Sequence, residues 1–286
     1  MTKQHLNGTT RPFLKWAGNK YRILHEIQPL LPSGRRLIEP FAGSAALFLN
    51  TQFDKYLIAD SNGDLISLYN ILKKHGDAFI EQARRLFAPR FNNAETYYRR
   101  RDEFNRSNDP LRKAALFIYL NRHGYNGLCR YNASGGFNVP FGRYTRPYFP
   151  EAEMRAFRRK ARRAVFKHRD FKWAFEQAQP GDVIYCDPPY VPLSRSASFT
   201  AYSAGGFGLT HQALLAQLAK QSAARGVPVL ISNHNTAETR RYYREASQHH
   251  YFQVRRNISC NGDKREDAGE VLVLFDAPSH TGHHSS

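Results

Sequence analysis

The residues with the clearest chemical potential are Asp187–Tyr190, which read DPPY and follow the apolar run DVIYC. That run predicts a buried strand, and α/β sheets bind ligands beyond the carboxyl ends of their strands. Two consecutive prolines fix φ and remove two backbone donors, which leaves carbonyl groups as hydrogen-bond acceptors. The exocyclic amine of a nucleobase needs such acceptors, because its lone pair is delocalised into the ring.

Hydrogen bonds from such an amine to the Asp187 carboxylate and the Pro188 carbonyl would favour a tetrahedral nitrogen. Its lone pair could then attack a methyl group in line with a departing sulfur. Tyr190 could stack on a base that has left the duplex, which offsets part of the cost of unstacking. The alternative is an ordinary Asp-Pro turn at the end of a strand.

A second turn, EPFAGSAALFLN at residues 39–50, follows the apolar run RLIE and opens a helical pattern. A turn of this kind that carries a glycine lets a cofactor approach the backbone. The next apolar run, KYLIA, ends at Asp60, 21 residues after Glu39. An acid at about that distance is well placed to bind a ribose hydroxyl. A turn without a ligand is the alternative.

A third segment, FLKWAGNK at residues 13–20, combines the flat face of Trp16 with the charges of Lys15 and Lys20. Taken alone, this pattern is equally typical of the start of an ordinary amphipathic helix.

The composition of the chain favours a polyanionic partner. Its 286 residues include 42 Lys and Arg against 24 Asp and Glu, a formal net charge of +18. Nucleic acid is the leading candidate. An anionic membrane surface is the rival, but no amphipathic membrane helix or lipid anchor is evident. Since the chain has neither an apolar run of membrane-spanning length nor an apolar N-terminal stretch, we expect a cytoplasmic protein.

The three cysteines, Cys129, Cys186 and Cys260, lie far apart in the sequence. No pair has the spacing of metal ligands, so a disulfide framework or a zinc site is not expected.

The order of the apolar runs predicts a parallel α/β sheet with helices on both faces. The helical pattern at 210–225 follows this scheme, with Thr210 as its cap and Gly226 after its end. The predicted strands are 36–39, 55–59, 182–186, 227–232 and 270–276.

The middle of the chain differs from this pattern, which leads to a division into domains. We predict a catalytic domain in two parts, 1–62 and 151–276, and an inserted, mainly helical recognition domain over 63–150. A disordered tail is expected over 277–286. Residues 151–172 read as a basic helical segment, either a solvated face or one that follows DNA phosphates.

Several segments of the chain resemble the Dam family of adenine-N6 DNA methyltransferases. The resemblance runs from the N-terminal segment to about Phe275, in the family's order. The segments are FLKWAG-K, EPFAGSAALFLN, ADSNGDLISLYN, FIYLNRHGYNGLCRYN, FNVPFGRY, YCDPPY and LISNHNT. The resemblance implies a mostly parallel, seven-stranded S-adenosylmethionine-dependent methyltransferase fold with an inserted helical target-recognition domain. It also implies methylation of adenine in GATC, with S-adenosylhomocysteine as product and no metal.

The resemblance assigns roles residue by residue. Adenine handling falls to Asp187, Pro188 and Tyr190. The cofactor residues would be Trp16, Lys20, Phe41, Asp60 and Asp187. Base reading falls to Lys15, Leu128, Arg130, Pro140 and Tyr144, while Tyr125 fills the gap left by the flipped base with Asn126 beside it.

The chemistry of arginine agrees with one of these roles. An arginine can bind O6 and N7 of guanine in the major groove, and Arg130 lies between turn formers in GLCRYN. A phosphate contact or a solvated surface is the alternative for any one arginine in so basic a chain.

One position departs from the family pattern. The family often has a second glycine in the turn after EPF, where this chain reads Gly43-Ser44-Ala45-Ala46. A methyl group at Ala45 could crowd the cofactor.

Two other functions remain open at this level: methylation of another amine, such as cytosine N4, an RNA adenine or a protein amide, and a catalytically inactive DNA-binding module. The partner expected is double-stranded DNA, bound by a monomer without a membrane or an obligate protein partner.

Overall fold

A computed structural model describes residues 8–190, 207–254 and 268–277. Seven strands form one sheet in the order β3-β2-β1-β4-β5-β7-β6. The pairs β1/β4, β2/β3 and β4/β5 are parallel, whereas β7 runs antiparallel to both β5 and β6. The strands are β1 Arg36–Glu39, β2 Lys55–Asp60, β3 Ala164–His168, β4 Asp182–Cys186, β5 Val229–His234, β6 Gln248–Val254 and β7 Ala268–Phe275.

The helices of the described residues vary widely in length. Short 3-10 turns cover Lys20–Ile23, Gln28–Leu30, Arg85–Phe87, Pro89–Phe91 and Tyr125–Gly127. The α-helices are α1 Leu24–Ile27, α2 Ala46–Leu49, α3 Gly63–Arg84, α4 Ala94–Arg106, α5 Pro110–His123, α6 Glu151–Ala161, α7 Phe171–Glu176, α8 Leu209–Ala224 and α9 Ala237–Tyr242.

The chain divides into two compact units. One consists of Met1–Gln28 and Ala42–Asp170, the other of Pro29–Phe41 and Phe171–Ser286. The first unit contains the predicted recognition domain together with part of the predicted catalytic domain. The division into a catalytic domain and a recognition domain therefore stays a prediction.

The predicted α/β fold with a mostly parallel, seven-stranded sheet is confirmed, and the antiparallel strand β7 makes the sheet mixed. The run DVIYC forms β4 at its predicted bounds, and all five of its residues are buried. This complete burial explains why residues 183–186 are continuously apolar, while the buried Asp182 is paired with Arg36. The predicted strands 227–232 and 270–276 are each displaced by one or two residues from β5 and β7.

The expectation of one helical segment over 151–172 is wrong. Helix α6 ends at Ala161, and β3 follows and pairs in parallel with β2. Ala164 and Phe166 are buried while Val165 and Lys167 are exposed, a period of two that defines a strand with one covered face. The many arginines concealed this short alternation.

Strand β6 was not predicted because its residues, QHHYFQV, are half-buried or exposed and include few aliphatic side chains. The cap of α8 was also predicted wrongly. The helix begins at Leu209, so its cap is Gly208, whose N–H bonds His211 Nδ1 at 3.3 Å, and Thr210 lies exposed within the first turn. Gly226 ends this helix with φ 77°, as predicted.

Two expectations concern residues outside the described ranges. Cys260 lies there, as does the predicted tail except for Ala277. Within the described residues, no helix is both long and apolar enough to cross a bilayer.

Candidate active site

The DPPY turn leaves the sheet directly after β4. Cys186, the last strand residue, is fully buried, whereas the next residue, Asp187, is partly exposed. Pro188 is buried and Pro189 is exposed. The structure thus brings the carboxylate and the Pro188 carbonyl, both predicted acceptors, to the carboxyl end of a central strand.

The phenol of Tyr190 is held by two partners in the same unit. Its oxygen lies 3.0 Å from Ser232 Oγ on β5 and donates to Glu270 Oε2 on β7, also at 3.0 Å. Burial raises the pKa of Tyr190 well above its usual value, and the charges of Asp187 and Glu270 raise it further. The phenol therefore stays protonated and keeps its bond to Glu270.

The ring of Tyr190 also meets an imidazole. The His234 ring lies edge-on to it, with the centroids 4.2 Å apart and the planes at 72°. With its hydroxyl and one ring contact fixed, Tyr190 is a rigid aromatic surface beside Asp187.

The predicted cofactor turn in the other unit is built around Asp60. Its two carboxylate oxygens accept backbone N–H groups from Gly43 at 3.0 Å and Asn62 at 2.8 Å. Burial raises the pKa of Asp60 above its usual value, while these two hydrogen bonds act in the opposite direction. A partly exposed carboxylate with backbone donors on both oxygens suits a ribose hydroxyl as a further donor.

Gly43 lets Trp16 approach this turn. Its φ is 45°, and a Cβ at this position would lie 3.0 Å from Trp16 Nε1. The structure therefore brings together Trp16, Gly43 and Asp60, two of which were predicted to bind the cofactor. Lys20 is buried in the same unit and donates from Nζ to the Gly18 carbonyl at 2.9 Å.

Ala45 adopts a left-handed backbone, with φ 59° and ψ 36°, directly before α2. Side chains other than that of glycine are strained in this region, which explains physically why a glycine is favoured here. The Ala45 side chain is fully buried. Its effect on the cofactor stays a prediction.

Ala45→Gly should relieve backbone strain of roughly 1–2 kcal/mol. Loss of the buried methyl group costs about 0.8 kcal/mol of hydrophobic stabilisation and offsets part of this gain. Ala46→Gly is the matched control, since it removes an equally buried methyl within α2, where glycine costs about 1 kcal/mol. In urea unfolding we expect Ala45→Gly to be more stable than Ala46→Gly by about 2–3 kcal/mol. Equal stabilities would contradict the strain at Ala45.

The predicted cofactor residue Phe41 belongs to an aromatic cluster of the second unit. It stacks on Phe171 at 5.6 Å between centroids and meets Phe207 edge-on at 5.4 Å. His211 of α8 stacks on Phe207 at 5.3 Å. Sequence reasoning missed Phe171 and Phe207, because they are distant in sequence and lie in no recognised motif.

The predicted DNA-reading residues lie around one loop that follows α5. Tyr125 is 47% exposed, and Asn126, which has a left-handed backbone with φ 51°, is exposed as well. The Tyr125 N–H donates to the Pro140 carbonyl at 2.8 Å. This bond joins two predicted DNA-reading segments that are separated by 15 residues in the sequence.

Lys15 joins this loop from the N-terminal segment. Its Nζ lies 3.9 Å from the centroid of the Tyr144 ring, a cation–π contact between two predicted base-reading residues. Burial lowers the pKa of Lys15, and the charge of Arg122 lowers it further. The buried Asn121 fixes the segment, because its side chain bonds both the N–H and the carbonyl of Lys15.

Arg130 is exposed at the far end of the loop. Its Nε donates to Asn138 Oδ1 at 2.8 Å and its Nη2 to the Asn138 carbonyl at 3.3 Å. Leu128 is half-exposed and bonds the Tyr125 carbonyl through its N–H at 3.1 Å. Asn138 therefore holds the guanidinium in a defined direction.

The loop is also attached to the start of α3, close to the acid of the cofactor turn. Tyr131 donates to Asp64 at 2.9 Å, and Asn62 Nδ2 lies 3.5 Å from Cys129 Sγ. Burial raises the pKa of Cys129 to about 12, so its thiol stays protonated.

The basic segment that follows is partly neutralised within its own unit. Arg155 and Arg158 of α6 both pair with Asp77. Arg159 and Arg162 are exposed on the same helix end. Both interpretations of this segment, a solvated face and a phosphate-following face, stay open.

A mixed seven-stranded sheet, an acid-bearing glycine turn and a DPPY turn together define a methyltransferase fold. The model of the D12 class N6 adenine-specific DNA methyltransferase family matches residues 16–258, and the chain belongs to this family. It is therefore an adenine-specific DNA methyltransferase.

Three relatives described as DNA adenine methylase agree with this assignment. The protein of Escherichia coli (strain K12) is 53% identical over 265 residues, which cover 93% of this chain and 95% of that protein. The Serratia marcescens protein is 52% identical over 266 residues, 93% of this chain and 98% of its own. That of Vibrio cholerae serotype O1 (strain ATCC 39315 / El Tor Inaba N16961) is 51% identical over 266 residues, with 93% and 96% covered.

Proposed function

We propose that the enzyme transfers a methyl group from S-adenosylmethionine to N6 of an adenine flipped out of double-stranded DNA, within GATC. The observation that carries this proposal is the Asp187–Tyr190 turn. It presents a carboxylate and a fixed aromatic ring directly after a buried central strand. A base must leave the stack to reach such a site.

Asp187 and Pro188 would hold the two hydrogens of the adenine amine. With both N–H bonds directed at acceptors, the nitrogen becomes tetrahedral and its lone pair points away from the ring. The N–C bond forms as the S–C bond breaks, and the surplus amine proton leaves to solvent. Tyr190 keeps the base in place by stacking, which supplies about 1–3 kcal/mol per base.

The residues present fit S-adenosylmethionine, which supplies an electrophilic methyl group and leaves as S-adenosylhomocysteine. Asp60 would accept a ribose hydroxyl, and Trp16 would cover the cofactor at a turn where Gly43 leaves no room for a side chain. Lys20, Phe41 and Asp187 complete the proposed set. The proposed chemistry uses no metal.

The DNA-reading residues would act from the exposed loop and from Lys15. Tyr125 would fill the space left by the flipped adenine, beside Asn126, and Arg130 would read a guanine. Lys15, Leu128, Pro140 and Tyr144 complete the proposed base-reading set. The cation–π contact between Lys15 and Tyr144 supports a shared surface for these residues.

One assay tests the proposal against its alternatives. Tritium is followed from labelled S-adenosylmethionine into duplex DNA, and the nucleosides are then analysed. Label in N6-methyladenine of GATC duplexes supports the proposal. Label in methylcytosine or in RNA alone would indicate another amine, and DNA binding without transfer would indicate an inactive binding module.

Arg130→Ala should relax the choice of one base without destroying methyl transfer. A bidentate guanine contact contributes about 1–3 kcal/mol of discrimination. We therefore expect the variant to have a lower kcat/KM on GATC. The ratio between its kcat/KM on GATC and on duplexes in which that guanine is replaced should also be smaller. The measurement is kcat/KM on GATC and on each singly substituted duplex.

Arg162→Ala provides the control for this variant, because Arg162 is an exposed arginine outside the loop. Loss of a phosphate contact there would slow all duplexes alike and reduce the salt slope by about one unit. If Arg130→Ala also slows every duplex by one common factor, then Arg130 is a positioning residue and does not read a base.

A further inference from the structure

A buried polar cluster lies behind the DPPY turn, formed by Gln212 of α8, Asn233 of β5 and Tyr243 just after α9. The three side chains are 1%, 0% and 0% exposed. Asn233 Nδ2 donates to Gln212 Oε1 at 3.1 Å and to the Tyr243 hydroxyl at 3.1 Å. The hydroxyl in turn donates to Gln212 Oε1 at 2.8 Å.

The cluster ends on the turn itself. Gln212 Nε2 donates to the Pro189 carbonyl at 2.8 Å. Pro189 is the second proline of the DPPY turn, so a buried glutamine contacts the backbone one residue from the proposed amine acceptor.

The direction of every hydrogen bond in this cluster is fixed by a backbone group. The N–H of His234 donates to Asn233 Oδ1 at 2.9 Å, and a backbone N–H can only donate. Asn233 must therefore present its NH2 group to Gln212 and Tyr243, and Gln212 must present its own NH2 group to Pro189. If the glutamine amide rotated by 180°, its NH2 group would face the NH2 group of Asn233 and its oxygen would face the Pro189 carbonyl.

Neighbouring residues of β5 hold the turn from opposite faces of the sheet. Successive side chains of a strand point to opposite faces. Ser232 bonds the Tyr190 hydroxyl, and the next residue, Asn233, bonds Gln212. Two adjacent residues of β5 therefore hold two adjacent residues of the turn. Ser232 bonds Tyr190 directly, and Asn233 acts on Pro189 through Gln212.

The geometry of proline makes this attachment effective. The rings fix φ at Pro188 and Pro189, so the ψ angles are the freedom that the turn retains. A hydrogen bond to the Pro189 carbonyl fixes the ψ angle of that residue. A rotation of ψ at Pro188 would move the Pro189 carbonyl away from Gln212, so the same bond also restricts the angle that directs the Pro188 carbonyl.

We propose that Gln212, oriented by Asn233, is a positioning residue for methyl transfer that sets the direction of the Pro188 carbonyl through its bond to Pro189. This inference rests on the proposed role of the turn. Burying an amide costs free energy unless its hydrogen bonds are made, so packing alone is served better by an apolar side chain. The bond to the turn gives the buried amide a function.

The test compares Gln212→Leu with Tyr243→Phe in single-turnover methylation of duplex DNA. Tyr243→Phe removes one donor to Gln212 and leaves the bond to Pro189 in place. Gln212→Leu should lower the single-turnover rate roughly 10- to 100-fold, since small misplacements of reacting groups have effects of this size. Tyr243→Phe should change it less than about threefold at a matched loss of thermal stability.

Gln212→Glu adds a pH-dependent rate to the test, which a purely structural role of Gln212 would not produce. An ionised carboxylate at this position cannot donate to the Pro189 carbonyl, whereas a protonated one can, and burial raises its pKa. The rate of this variant relative to the unmodified enzyme should therefore rise as the pH falls from about 8 to 6. The dissociation constants for DNA and S-adenosylmethionine should stay within about twofold in all three variants.

The outcomes separate this inference from the proposed function. If the unmodified enzyme methylates no DNA adenine, the proposed function fails. If it is active, but Gln212→Leu slows it no more than Tyr243→Phe at equal melting temperature, the positioning role is wrong. A flat pH profile of Gln212→Glu relative to the unmodified enzyme would also overturn it.

Discussion

Asp187→Ala is expected to lower the single-turnover rate of methyl transfer by at least about a thousandfold, the upper range for removing one such electrostatic contact. The carboxylate stands at the end of β4, where the proposed mechanism directs it at the adenine amine. Alanine leaves the amine with one protein acceptor, so its lone pair stays delocalised. The rate is measured with labelled S-adenosylmethionine and enzyme in excess over duplex DNA.

Two controls accompany this variant. Asp187→Asn keeps one acceptor oxygen at the same place and should retain a trace of activity. DNA affinity should stay close to that of the unmodified enzyme in both variants, because phosphate contacts supply most of the binding. A rate for Asp187→Ala similar to that of the unmodified enzyme would refute the proposed mechanism.

Affinity for non-specific duplex DNA should fall about a thousandfold between about 50 and 200 mM salt, if ~6 phosphates are neutralised. The net charge of +18 supplies the cations, and each neutralised phosphate releases counterions. Arg155 and Arg158 are not counted among these cations, because Asp77 already pairs with both. The measurement is a titration of a labelled duplex that lacks GATC, at several salt concentrations.

The matched controls for this titration are Arg155→Ala and Arg162→Ala. The first removes an arginine that is already paired and should leave the salt slope unchanged, whereas the second should reduce it by about one unit if Arg162 contacts a phosphate. An affinity that does not depend on salt would show that the positive charge has another purpose.

Much of the fold follows from local sequence. A short, largely apolar run such as DVIYC is typical of a strand that is buried on both faces of a sheet. It forms β4 at its predicted bounds. The prolines Pro188 and Pro189 likewise fix two φ angles of the turn from local sequence alone. The acid at Asp60 could be predicted because its spacing from the first turn reflects one strand–helix–strand unit.

Other features depended on partners that are distant in the sequence. Strand β3 lies in an arginine-rich segment whose local sequence favours a helix. Pairing with β2 stabilises it as a strand instead. Ala45 gives no local signal of a left-handed backbone, since that conformation arises from the way β1 must turn into α2.

By itself, the sequence determined the family, five of the seven strands of the described sheet and the DPPY turn, because motifs, apolar runs and prolines act over a few neighbouring residues. Only the tertiary structure decided what holds that turn. Gln212, Ser232 and Glu270 reach it from three other elements, and Asn233 holds Gln212. No spacing rule connects these residues, since buried polar groups acquire partners only when packing removes water and leaves each donor one acceptor within reach.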